Sequence, residues 1–129
     1  LKADLLQARG EIVLLCTHIS VDKLLQLKGN YPKLNIKLVV PKGAKNLHFL
    51  KRLEDEYLKV LPIDRKVIMN MLVIDYSLVW YGTLPEIGNA GGEESSLLRL
   101  ESPSLVSEVL SQLQLDGLLH SVKIKDGKG

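Results

Sequence analysis

The chain alternates compact apolar runs with breaks marked by glycine, proline, asparagine and serine. Glu11–Cys16 (EIVLLC) and Asn35–Val40 (NIKLVV) are short, rich in branched side chains, and of the type buried on both faces of a parallel sheet. Around them, apolar residues recur at helical spacing. Leu1, Leu5, Leu6 and Ala8 predict a short amphipathic helix over Leu1–Arg9, stopped by Gly10. Ser20 is placed to N-cap a helix from Val21 to about Leu27, closed by Gly29 and Asn30. Leu47, Leu50, Leu53 and Leu58 predict another over Ala44–Leu58, after the break at Pro41 and Gly43. Strand, helix, strand, helix is the order of a parallel βαβα unit.

The second half reads differently. A short strand is expected over Lys59–Ile63. Val67–Asp75 and Leu78–Tyr81 then predict two antiparallel strands with a tight connection, for which Asp75 and Ser77 are suitable turn residues. Gly82–Glu94 has loop composition, and a loop of that length is often functional. Ser96–Leu100 predicts a further strand, and Ser102-Pro103 opens a helix to about Leu113 with Leu105, Val106, Val109, Leu110 and Leu113 inward. Leu118–Lys125 is expected to add an edge strand, with the tail Asp126–Gly129 frayed.

Composition agrees with a layered interior. The chain has 129 residues, 46% of them hydrophobic and 5% aromatic, enough for one α/β core and too little for two. Starting at Leu1 without Met, it is expected to be a fragment of a larger protein. The single Cys16 rules out an internal disulfide and a thiol cluster for zinc, and with it a reducing cytoplasm is the expected setting. No apolar stretch approaches the roughly 20 residues of a membrane span, so no membrane partner is expected. No cofactor and no metal site is expected either, since His120 lacks ligand partners at useful spacing.

The net charge of +2 hides an asymmetry: Lys23, Lys28, Lys33, Lys37, Lys42, Lys45, Lys51 and Arg52 form a run of eight basic residues with no acid among them. Such a block attracts polyanions, with DNA or RNA the natural partner; alternatively the lysines solvate two helices and their loops. His48 adds to the basic face with Lys51 and Arg52 at i+3 and i+4.

The order of elements, the hairpin Val73-Ile74-Asp75-Tyr76-Ser77-Leu78-Val79-Trp80-Tyr81-Gly82 and a following loop ending in Glu94 resemble one repeat of a phospholipase D-like domain, over nearly the whole chain. The resemblance implies a layered α/β/α fold with a mixed, mostly parallel sheet. Members of that family carry the motif His-x-Lys-x4-Asp, which supplies a nucleophilic histidine and a phosphate-binding lysine, followed by Gly-Ser-x-Asn. Aligned on Asp75, this chain has Ile68 and Asn70 at the histidine and lysine positions, and Gly82-Thr83-Leu84-Pro85 at the second element. An isoleucine is neither nucleophile nor proton shuttle, so no phosphodiesterase activity is expected.

A remnant cleft of His18, Asn70, Asp75, Thr83 and Glu94 is what the resemblance implies in its place. His18 reads equally as a plain surface-turn residue, and Glu93 and Glu94 as a solvated loop pair. Trp80 is either hairpin core or a stacking platform, and Val79 and Leu78 beside it favour core. Arg99, in an apolar strand, needs a carboxylate or an anionic ligand; Glu94 and Asp75 are the candidate partners.

Val79-Trp80-Tyr81-Gly82, Gly88-Asn89-Ala90, Glu94, Leu98-Arg99-Leu100 and Ser102-Pro103 are similar to phospholipase D-like domains appended to superfamily-two DNA or RNA helicases. This implies a noncatalytic accessory domain of a helicase-like or DNA-processing protein, its parent an ATP-dependent helicase. Nucleic-acid association would run through Lys42, Lys45, His48, Lys51, Arg52 and Arg99. Because family members pair two repeats, a homodimer or pairing with a second repeat is expected. The alternatives are a small-ligand-sensing domain of a transcriptional regulator and a purely structural dimerisation scaffold.

Overall fold

The computed structural model describes residues 2–64, 70–82, 98–113, 115 and 119. Ten elements follow in chain order: α1 (Lys2–Gln7), β1 (Glu11–Leu15), α2 (Val21–Asn30), β2 (Asn35–Pro41), α3 (Leu47–Lys51), β3 (Leu58–Ile63), β4 (Met71–Ile74), β5 (Leu78–Tyr81), β6 (Leu98–Glu101) and α4 (Pro103–Gln112). The strands form one sheet in the order β3-β2-β1-β4-β5-β6. β1, β2 and β3 pair in parallel, while β1–β4, β4–β5 and β5–β6 are antiparallel. The expected mixed sheet thus forms with four strands running one way and two against, although antiparallel pairings outnumber parallel ones, three to two.

Alternation along each central strand feeds two cores. Ile12, Leu14, Ile36, Leu38, Val40, Leu72 and Ile74 face the side covered by α1, α2 and α3, through Leu5, Leu24, Leu27 and Leu50. Val13, Leu15, Val39, Met71, Val73 and Val79 face the other side, where α4 brings Val106 and Leu110, joined by Leu115 and Leu119. The layers are therefore α/β/α. Each such leucine taken fully out of water contributes about 1.5–3 kcal/mol, and Leu14, Leu38 and Leu72 have no exposed surface.

Both long helices start where a serine can accept the orphan N–H: Ser20 Oγ from Lys23 N at 3.1 Å and Ser102 Oγ from Leu105 N at 3.2 Å. α2 runs on through Gly29 to Asn30, past the expected end at Leu27. α3 is much shorter than the Ala44–Leu58 helix the leucine spacing predicts. Acidic side chains end it. Glu54 Oε2 accepts from Val60 N at 2.7 Å and Asp55 Oδ1 from Tyr57 N at 2.8 Å, and the turn returns the chain as β3 with Leu58 already a strand residue. β4 occupies the C-terminal part of the predicted Val67–Asp75 strand, and β6 runs to Glu101 rather than Leu100. In the Leu118–Lys125 segment, where an edge strand is expected, Leu119 is instead helical, its N donating to Leu115 O at 2.9 Å and its side chain buried in the second core; Leu118 lies outside the described residues. Residues 120–125 lie outside the described residues.

The β4–β5 hairpin closes through Ile74–Ser77, with Ser77 N donating to Ile74 O at 3.0 Å. Asp75 (φ 52°) and Tyr76 (φ 57°) both take left-handed backbone, as a two-residue hairpin turn of matching twist requires. Aspartate tolerates this; a tyrosine there carries strain of order 1 kcal/mol. Two anchors hold it. The Asp75 carboxylate accepts from Arg9 N, Gly10 N and Glu11 N at 2.8, 2.9 and 3.0 Å, and the Tyr76 hydroxyl donates to Glu11 Oε2.

Cys16 sits in the first core with no exposed surface, and burial pushes its thiol pKa up to about 12. The reactive thiolate is therefore absent at neutral pH. A maleimide or disulfide reagent at pH 8 is expected to label Cys16 only as fast as the chain unfolds; labelling of the native chain at the rate of a free thiol would contradict this packing.

Candidate nucleic-acid interface and remnant cleft

The carboxyl ends of parallel strands are where open α/β sheets place their ligand sites, because loops diverge there and helix N-termini converge. In this chain that end carries Thr17 and His18 after β1, Lys42 after β2, and Asn70 just before β4. Asn70 is 5% exposed, and its side-chain oxygen accepts from Thr17 N at 2.9 Å and Thr17 Oγ1 at 3.4 Å. Its main-chain oxygen accepts from Gly82 N at 3.1 Å. Asn70 is thus a fastening between the first strand and the hairpin. Next to Thr17, His18 is exposed. Asn46 links the neighbouring loops, its Nδ2 donating to Ile19 O at 2.8 Å, while its Oδ1 is buried with no partner among the described residues.

Asp75 does not belong to this end. It lies beyond the far end of β4, five residues from Asn70, or roughly 16 Å at strand rise. Its carboxylate is occupied by three backbone N–H groups, so it holds the fold and cannot line the cleft. Ile68, Thr83 and Glu94 lie outside the described residues, as do Glu93 and His120.

Arg99 pairs with Asp4 and not with Asp75, while Glu94, the other expected partner, lies outside the described residues. The Arg99 Nε and Nη2 donate to Asp4 Oδ2 and Oδ1 at 2.9 and 3.0 Å, a bidentate pair, and Nη2 lies 3.5 Å from Glu101 Oε1. Trp80, directly across from Arg99 in the β5–β6 register, donates from Nε1 to Asp4 Oδ2 at 2.8 Å and packs against the first core. The guanidinium carbon stands 5.9 Å from the Trp80 ring centre. Arg99 holds the Asp4 carboxyl below its usual range, helped by the indole and opposed by burial; Asp4 in turn raises the Arg99 pKa. The arginine closes α1 onto the sheet. Asp4 was not legible as its partner, since the two are 95 residues apart.

The basic block also divides. Lys37 is buried, 3.1 Å from Glu11 Oε2, with Nζ 3.5 Å from Leu119 O. Lys28 pairs with Asp55 at 2.6 Å and holds that carboxyl below its usual range. Lys51 pairs with Glu54 at 3.4 Å and reaches Val60 O at 3.4 Å. Lys42, Lys45 and Arg52 are exposed and carry no ion pair among the described residues. Exposed His48 stands between them on α3, its ring 5.3 Å from that of Phe49.

Among the described residues, no group of three His, Cys, Asp or Glu could hold a metal ion, and no helix is long and apolar enough to cross a membrane.

No protein-family model matches the chain, and no curated protein matches it. Solved structures do. NucT from Helicobacter pylori superposes with a TM-score of 0.60 at 11% identity, over 87% of this chain and 81% of that one. TrmBL2, an archaeal chromatin protein whose structure shows a novel mode of DNA binding, superposes with a TM-score of 0.52 at 16% identity, over 88% of this chain and 45% of that one. At these identities the likeness is one of fold, and it supports the phospholipase D-like architecture that the hairpin in the sequence implies.

Proposed function

We propose that this chain is a noncatalytic phospholipase D-like module that associates with nucleic acid through the segment from the end of β2 to the end of α3. The observation that carries the reading is the charge left over after internal pairing. Lys28, Lys37 and Lys51 are matched by carboxylates, whereas Lys42, Lys45 and Arg52 stay uncompensated and exposed on one stretch. Surface cations of this kind bind phosphates by releasing counterions, without needing a pocket. That an archaeal chromatin protein whose structure shows a mode of DNA binding shares the fold supports the reading. So does Asn70, whose amide oxygen is committed to Thr17 and which has no cation to offer a phosphoryl group. The parent, in this reading, is a helicase-like or DNA-processing protein that brings a second repeat, either by homodimerisation or elsewhere in its chain.

Fluorescent oligonucleotides titrated at several salt concentrations test the proposal. Affinity is expected to fall steeply with salt, and the variant K42E/K45E/R52E to flatten the log–log slope by about two to three, near 0.7 on a single strand and 0.9 on a duplex for each phosphate that is no longer neutralised. The oligonucleotide should remain intact on a gel after prolonged incubation. Absence of binding to DNA and RNA at low salt, an unchanged slope in the triple variant, or hydrolysis by the purified chain would overturn it.

A further inference from the structure

Phe49 is the chain's single phenylalanine, yet it is 55% exposed while the leucine beside it, Leu50, is completely buried. Its position explains nothing about the fold. α3 is secured to the sheet by Leu50, with Leu47 and Leu53 packed against the same core, and Phe49 is on the outward side. There it meets His48 edge to face, ring centres 5.3 Å apart and planes inclined at 72°. The two rings form a small aromatic step. On either side in sequence stand two of the exposed cations that have no ion pair among the described residues: Lys45 four residues before Phe49, and Arg52 three residues after it.

We infer that His48 and Phe49 form a stacking platform for an unpaired base, with Lys45 and Arg52 holding the flanking phosphates, so that the ligand class of this interface is single-stranded nucleic acid. This rests on the nucleic-acid reading above and sharpens it. An exposed phenyl ring has little to gain from a duplex, whose bases are stacked on one another and present only their edges. A single strand can turn a base face onto the ring, and stacking of this kind is tolerant of sequence because every base has such a face. Charge complementarity selects the occupant: an apolar protein anchor would bring the uncompensated Lys45 and Arg52 out of water, whereas a nucleic-acid strand neutralises them.

The test compares the native chain with F49A and F49W, using oligo(dT) and a duplex of equal length at low salt. F49A should lose about tenfold or more in affinity for oligo(dT), in line with the loss of one stacked base. Duplex affinity and the salt slope should hardly change, since no basic side chain is removed. F49W should retain the affinity, and its fluorescence should be quenched by oligo(dT) beyond the change in the native chain, whose only tryptophan is Trp80. A denaturation curve confirms that F49A folds. Equal affinities of F49A and native chain for oligo(dT) overturn the stacking inference while salt-dependent binding leaves the broader proposal standing. Equal losses for single strand and duplex also overturn it. Altered sedimentation of F49A with unaltered DNA binding would make Phe49 a self-association residue instead. No binding by the native chain removes both proposals.

Discussion

Asp75→Ala is expected to destabilise the chain by about 3 kcal/mol or more, because one truncation strips the acceptor from three backbone N–H groups. Arg9 N is exposed and can turn to water, but Gly10 N and Glu11 N are partly buried and cannot do so freely. The left-handed turn at Asp75 and Tyr76 would also lose one of its two anchors. Asp75→Asn should cost less: a single amide oxygen can keep the two bonds that Oδ1 makes, to Gly10 N and Glu11 N, while the amide nitrogen faces the exposed Arg9 N. Urea denaturation measures both, as a shift in midpoint at constant slope. A loss under about 1 kcal/mol for the alanine variant would show that the clamp is not what holds the hairpin to β1.

The second large effect is expected at the neighbouring Glu11. Its carboxylate compensates Lys37, whose side chain is 7% exposed, and Glu11→Gln leaves that ammonium facing a neutral amide and the Leu119 carbonyl. Removing one partner of a buried pair costs about 3–5 kcal/mol, whereas replacing both with apolar groups is often close to neutral. Glu11→Gln should therefore be severe and Glu11→Gln/Lys37→Met mild, since the glutamine still offers an oxygen to the Tyr76 hydroxyl while the unpaired ammonium is gone. If the double variant proves as unstable as the single one, the ion pair is stabilising in its own right and the cost of an orphaned charge is not the explanation. Glu11 also donates its main-chain N–H to Asp75, so its variants and those of Asp75 share a neighbour and should not add.

What the sequence discloses is local. The apolar runs of β1 and β2, the serine caps of α2 and α4, and the hairpin around Asp75 are written in neighbouring residues and appear where expected. The leucine spacing after Asn46 misleads because period alone cannot register that Glu54 and Asp55 bond the backbone of the next strand. Charge is the least legible. Lys37 belongs to a run that looks solvated, but strand alternation turns it to the same face as Val39, where it is buried with Glu11. Arg99 asks for a carboxylate in the sequence, and only the sheet order can tell that α1 supplies it. Of the cleft suggested by the altered motif, His18 and Asn70 share one end of the sheet, and Asp75 belongs to the other.

The fastening of α1 also fixes an order of events during synthesis. The helix is the first of these elements to leave the ribosome, yet the side-chain ties of its Asp4 are to partners made far later, Trp80 and then Arg99, and the hairpin turn at Asp75 holds Arg9 and Gly10 just behind it. No nascent chain that stops short of Arg99 can complete that seat. Until then Leu5 has its core but Asp4 lacks its bidentate partner, so α1 is locked only when β6 arrives.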